Sequence, residues 1–136
     1  EYNSSSGIRG IWATEKNSGS DRLGIHLFIQ SSRLIINSFD SSGVSDLFGN
    51  TTISNGWNHS VVTYEGGLTK LYVNGTLQNT TINAAITSHF GTIGIGLYYR
   101  SLTSNASTFL GNISKVRAYE SVLTQSEVTD LYNEGQ

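Results

Sequence analysis

The stretch Leu97-Tyr98-Tyr99-Arg100-Ser101-Leu102-Thr103-Ser104-Asn105 gathers two phenol rings, a guanidinium and a primary amide. Sugar recognition uses that combination, because the C–H face of a sugar ring stacks on an aromatic ring while its hydroxyls need fixed partners. Tyr98 and Tyr99 are the candidate stacking surfaces, and Arg100 and Asn105 the candidate hydroxyl partners. The competing reading is a solvated loop whose first tyrosine covers the glycine face of the preceding strand. Asp21 and Asp40, the latter in Phe39-Asp40-Ser41-Ser42-Gly43, are the candidate metal ligands. The metal would be calcium, which collects about six to eight oxygens. Both aspartates equally suit turn formation. No other cofactor is called for.

Other chemistries are poorly served. Glycoside hydrolysis needs two carboxyl groups facing one another across the bond. On a strand they would recur at i and i+2 to share a face. The ten Asp and Glu residues include no such pair on a predicted strand, and no nucleophile-elbow motif appears. The chain therefore reads as non-catalytic. His26, His59 and His89 lack metal-ligand spacing; His59 suits a structural role, and His26 is expected on an outward face. Cysteine is absent, which removes disulfides and thiolate metal sites.

Bulk properties narrow the partners. The 136 residues are one domain's worth, only 13% are charged, and the formal net charge is -2. That leaves no basic footprint for nucleic acid. No apolar run approaches the length of a membrane-spanning helix. The surface is expected to be neutral and rich in Ser, Thr, Asn and Gly, as befits an outward-facing module. Asn3, Asn50, Asn58, Asn74, Asn79, Asn105 and Asn112 each open an Asn-x-Ser/Thr triplet. These are glycan acceptors in a eukaryotic secreted chain and carry no meaning in a bacterial or phage protein.

The elements that must position these residues repeat with period two. Leu23, Ile25, Leu27 and Ile29 share one face of a strand, with Gly24, His26, Phe28 and Gln30 on the other. Further strands are predicted over 7–14, 33–38, 57–65, 68–73, 77–82, 92–98 and 109–119. The last carries apolar groups on both faces and reads as central. The stretch 40–56 reads as loop with one or two short strands, anchored by Val44, Leu47, Phe48 and Ile53. Ser31-Ser32, Gly66-Gly67 and above all Asn74-Gly75 are the expected tight turns. Trp57 opens its strand and is expected in the core. One helix is expected near the C-terminus. Thr124 with Glu127 forms a capping box, Leu123 and Val128 a hydrophobic staple, and Val128, Leu131 and Tyr132 an apolar stripe ending before Gly135. The sum is an all-β, antiparallel two-sheet sandwich with one short C-terminal helix.

Four segments carry a family resemblance. Gly56-Trp57-Asn58-His59-Ser60-Val61-Val62-Thr63-Tyr64 resembles the W-x-H-x-x-x-T-Y strand of laminin-G-like jelly rolls, in the concanavalin A-like lectin/glucanase superfamily. Leu71-Tyr72-Val73-Asn74-Gly75 resembles its L-Y-V-N-G hairpin. Ile93-Gly94-Ile95-Gly96 with Phe109-Leu110-Gly111-Asn112-Ile113, and Val116-Arg117-Ala118-Tyr119 with Leu123-Thr124 and Glu127-Val128, resemble its closing segments. The resemblance spans about 23–133 and implies a jelly roll. It also implies a non-catalytic adhesion or glycan-binding module of a larger extracellular or virion-surface protein. A structural decoration domain of a phage or virus particle, without ligand, is the alternative. A glucanase-like hydrolase ranks third. Partners would be a glycan or protein surface and other domains or subunits of an assembly, without nucleic acid or membrane insertion. The family's opening strand signatures have no counterpart before residue 8, and Ser114 stands where the family often has Asp. The domain is therefore expected to be a fragment with an unpaired sheet edge, poorly soluble alone.

Overall fold

The computed structural model describes residues 7–18, 21–40, 43–82, 92–98 and 107–135. Four strands run up and down in succession: β1 (Arg9–Ser18), β2 (Asp21–Gln30), β3 (Arg33–Asp40) and β4 (Gly43–Thr52). β8 (Thr92–Ile95) closes on β1, giving a five-stranded antiparallel sheet in the order β4-β3-β2-β1-β8. A second antiparallel sheet holds β5 (Ser60–Glu65), β6 (Leu68–Val73) and β7 (Thr76–Ile82) in sequence order. Two short strands, β9 (Leu97–Tyr98) and β10 (Ser107–Thr108), pair with each other. Helix α1 (Gln125–Asn133) follows.

The tight turns fix the registers. Ser31 and Ser32 (φ 50° and 58°), Gly66 and Gly67 (57° and 84°) and Asn74 and Gly75 (49° and 74°) are all left-handed pairs. Each bridges two paired residues: Gln30 with Arg33, Glu65 with Leu68, Val73 with Thr76. Such two-residue turns match the twist of the strands they join. With register set, Leu27, Ile29, Leu34, Ile36 and Leu47 of the larger sheet meet Leu71 and Val73 of the smaller one, with Ile53 between. Amide side chains stitch β4 to β7 at the corner. Asn50 Nδ2 donates to the Gln78 carbonyl, Thr51 N–H donates to Gln78 Oε1 at 2.8 Å, and Asn79 Nδ2 donates to the Phe48 carbonyl at 3.1 Å.

Several expectations need correction. The stretch 40–56 is not mostly loop: β4 is ten residues long, because pairing with β3 supplies what its Ser, Asn and Gly lack in intrinsic preference. Conversely, 109–119 forms no strand. The Phe109 N–H donates to the Gly96 carbonyl, but among the described residues no strand pairs with this stretch, and Lys115 turns left-handed at φ 52°. His26 does not face outward to solvent. It is fully buried, and its face-mates Ala13, Phe28, Ile35 and Asn37 are buried too, so the larger sheet is covered on both faces there. Trp57 is not in the core but 71% exposed, because β5 begins three residues after it.

Candidate functional site

A surface depression of the described residues lies where α1 meets the β6–β7 turn. The helix starts there for local reasons. Thr124 Oγ1 accepts from the Glu127 N–H at 3.3 Å, and Glu127 Oε2 accepts from the Thr124 N–H at 2.7 Å. The Thr124 hydroxyl donates to the same carboxylate oxygen at 2.8 Å, and the two bonds that this oxygen accepts, from the Thr124 N–H first and the hydroxyl second, hold the Glu127 carboxyl below its usual range. Val128 is fully buried and anchors the helix. Gln125, Thr129 and Tyr132, at i, i+4 and i+7, then form the stripe that faces the turn.

Docking is specific. Gln125 Nε2 donates to the Gly75 carbonyl at 2.7 Å. Tyr132 packs on Gly75, where a Cβ would lie 3.2 Å from its Cδ1 atom. The His59 ring stacks on Tyr132 with centroids 6.1 Å apart. The His59 backbone N–H donates to Asn74 Oδ1 at 2.9 Å, and the Asn74 N–H returns a bond to the His59 carbonyl at 2.8 Å. Asn74 Nδ2 donates to Asn58 Oδ1 at 3.3 Å. Burial, then the positive charge of Arg117, lowers the His59 pKa. His59 Nδ1 is buried with no hydrogen-bond partner among the described residues, so a proton placed there would find no acceptor.

Between helix and turn lies a shallow depression of about 500 Å3. The Tyr132 ring and the exposed Leu77 supply apolar surface, and Asn133 and Thr76 supply exposed polar groups. Among the described residues, no charged side chain lines it. The arrangement offers an apolar strip bordered by neutral donors and acceptors, mounted on a capped helix and a two-residue turn.

None of the sequence-derived candidates is among the described residues that line the depression. Tyr98 is in β9, paired with Ser107, but its side chain, and all of Tyr99, Arg100 and Asn105, fall outside the described residues. Asp21 ends the β1–β2 ladder opposite Ser18, and Asp40 ends the β3–β4 ladder opposite Gly43; their side chains also fall outside the described residues. Among the described residues, no three His, Asp or Glu side chains converge as a metal site. The depression was missed, although the i, i+4, i+7 spacing of Gln125, Thr129 and Tyr132 could have marked a polar helix face aimed at the Asn74-Gly75 turn.

The laminin-G-type family model of the concanavalin A-like lectin/glucanases superfamily matches residues 2–129. The chain belongs to this superfamily. Among solved structures, this laminin-G-like domain is similar to the carbohydrate-binding module CBM40 of the Ruminococcus gnavus IT-sialidase, bound to α2,3-sialyllactose. The TM-score is 0.75 at 17% identity, over 92% of this chain and 74% of that one. It is also similar to residues 221–444 of an S-layer domain-containing protein from Clostridium thermocellum, with a TM-score of 0.50 at 19% identity, over 97% of this chain and 66% of that one. At such identities the likeness is one of fold, and it identifies the two sheets as a jelly-roll sandwich. No curated protein sequence matches this laminin-G-like domain. No helix among its described residues is long and apolar enough to cross a membrane.

Proposed function

We propose that this domain is a non-catalytic carbohydrate-binding module acting outside the cell, and that it takes a neutral glycan in the depression between α1 and the β6–β7 turn. The observation that carries the reading is the lining itself: apolar surface from Tyr132 and Leu77 beside the neutral polar groups of Asn133 and Thr76. Sugars need both in one place. The similarity in fold to a module bound to a sialylated glycan supports the class of ligand. The ligand proposed here differs in charge: sialic acid carries a carboxylate, and among the described residues no cation lines this depression to receive one. The 98–105 loop is the second place to look, through Tyr98, Tyr99, Arg100 and Asn105. Calcium at Asp21 and Asp40 would be a separate, structural addition.

The test is a glycan array with neutral and sialylated members, followed by titration of the best ligand against variants. Asn133→Ala and Leu77→Ala change exposed residues and should weaken neutral glycans by about tenfold each while leaving the melting temperature in place. Losses at Tyr99→Ala and Arg100→Ala instead would move the site to the loop. Absence of binding to every glycan would favour the ligand-free decoration reading. A rise in melting temperature on adding calcium chloride, abolished in Asp40→Asn, is the outcome expected of the calcium site.

A further inference from the structure

The chain contains two Asn-Gly pairs, Asn55-Gly56 and Asn74-Gly75. Asparagine is chemically labile, most of all before glycine, which has no Cβ to shield its amide nitrogen. That nitrogen can attack the asparagine carboxamide and close a five-membered ring. Ring closure requires the carboxamide to swing over the next peptide nitrogen and the backbone to rotate to meet it. The fold treats the two pairs in opposite ways.

Asn74 is held on both sides. Its Oδ1 accepts from the His59 N–H at 2.9 Å, and its Nδ2 donates to Asn58 Oδ1 at 3.3 Å. Its own N–H donates to the His59 carbonyl at 2.8 Å. The Gly75 carbonyl accepts from Gln125 Nε2 at 2.7 Å, and Gly75 is buried against Tyr132. Swinging the Asn74 carboxamide onto the Gly75 nitrogen would break both side-chain bonds and rotate a peptide that α1 grips.

Asn55 and Gly56 lie between the core residue Ile53 and β5, and both are exposed. Among the described residues, neither the Asn55 carboxamide nor the Gly56 N–H makes a hydrogen bond. Asn58 Nδ2 donates to the Ser54 and Gly56 carbonyls at 2.9 and 3.2 Å, which tethers the segment without touching the reacting groups. A Cβ at Gly56 would meet nothing within 4 Å, so the space around its nitrogen is open.

We propose that Asn55 is a site of spontaneous covalent modification, with water as co-reactant, and that the same chemistry is locked out at Asn74. The Gly56 nitrogen gives its proton to solvent and bonds to Asn55 Cγ. The Cγ–Nδ2 bond breaks, and Nδ2 takes a proton from solvent and leaves as ammonia. Water then opens the cyclic imide at one of its two carbonyls. Opening at Cγ leaves aspartate. Opening at the backbone carbonyl leaves isoaspartate, whose main chain runs through the side chain and is one methylene longer. Nothing is oxidised or reduced. Either product adds a carboxylate to a chain of formal net charge -2. The isoaspartate also lengthens the backbone between the two carbonyls that Asn58 bridges, and Asn58 links that segment to the turn beneath α1. The reaction is independent of glycan binding.

The test incubates the intact 136-residue chain in mildly alkaline buffer, folded and in concentrated urea, and digests it with trypsin over time. Cleavage after Arg33, Lys70 and Arg100 places Asn55 and Asn74 on separate peptides. Fragment mass spectra locate each exchange of NH2 for OH, and isoaspartyl methyltransferase labels the iso product. In the folded chain Asn55 should convert about tenfold or more faster than Asn74, because reaction at 74 waits on local opening. In urea the two rates should converge. Asn55→Gln, which would need a six-membered ring, should remove the signal at 55. Tyr132→Ala, which loosens the grip on Gly75, should speed Asn74 and leave Asn55 as it was. Circular dichroism checks that this variant folds, and Gln125→Ala, at the Gly75 carbonyl, tests the same point if it does not. Equal folded-state rates at the two pairs overturn the proposal. So does an Asn55 that converts only in urea.

Discussion

Gly75 and Gly66 form a matched pair for measuring how tightly α1 is seated. Both occupy left-handed turn positions, with φ 74° and 57°. A Cβ added at Gly66 meets nothing within 4 Å, whereas one added at Gly75 lies 3.2 Å from Tyr132 Cδ1. An alanine in that conformation costs about 1–2 kcal/mol. Loss of glycine's freedom in the unfolded chain returns about 0.4–1 kcal/mol. Gly66→Ala should therefore destabilise by about 0–1.6 kcal/mol. Gly75→Ala carries the same backbone cost and in addition displaces a ring held between the turn and His59, which adds about 1–3 kcal/mol of overpacking strain. Urea midpoints at unchanged slope give both values. The double change Gly75→Ala with Tyr132→Ala should cost less than the sum of the singles, since the clash needs both partners. Equal costs at Gly66 and Gly75, or strict additivity with Tyr132→Ala, would refute the claim that the ring is pinned against the turn.

Other outcomes follow from burial and charge. Thr124→Ala removes the acceptor for the Glu127 N–H and should lower stability by about 1 kcal/mol. Leu71→Ala, at a fully buried core position, should cost about 2–5 kcal/mol. Trp57→Ala, at an exposed one, should change the denaturation midpoint by less than about 0.5 kcal/mol. The folded state lowers the His59 pKa below its ordinary 6.5, so it favours the neutral ring. That stability is present above pH 6.5 and declines as pH falls from there through the folded-state value. Melting curves at pH 7.5 and 5.5 should show a smaller acid loss for His59→Gln than for wild type.

What could be read from the sequence was what is decided locally. The capping box at Thr124 and Glu127 and the turns at Ser31-Ser32, Gly66-Gly67 and Asn74-Gly75 depend on neighbouring residues, and all formed as expected. The alternation of β2 showed that it was a strand but not that both its faces are covered, since burial of His26 depends on residues distant in sequence. β4 was hidden for the same reason: Gly43–Thr52 is a strand because β3 pairs with it. Phe109–Tyr119 erred in the opposite direction, having strand composition and, among the described residues, no strand paired with it. Trp57 shows the limit of residue type, for its motif position stands outside the ladder by three residues. The depression at α1 is assembled from two segments more than forty positions apart, and no single window of sequence contains it.

The order of the larger sheet has a kinetic consequence. The β1–β2, β2–β3 and β3–β4 ladders join sequence neighbours, and so do β5–β6 and β6–β7. Such units form early, because little chain entropy is lost before their contacts are made. The β1–β8 ladder is different. It joins Trp12 to Ile95, spans most of the domain and holds only four residue pairs. Closing so long a loop is the slow step, and a short ladder at its end is the first to open again. The end of the sheet that is last to assemble is also the end where Ile93 and Ile95 are more than half exposed, so refolding at high protein concentration should lose material to association through partly closed chains whose β8 has yet to dock.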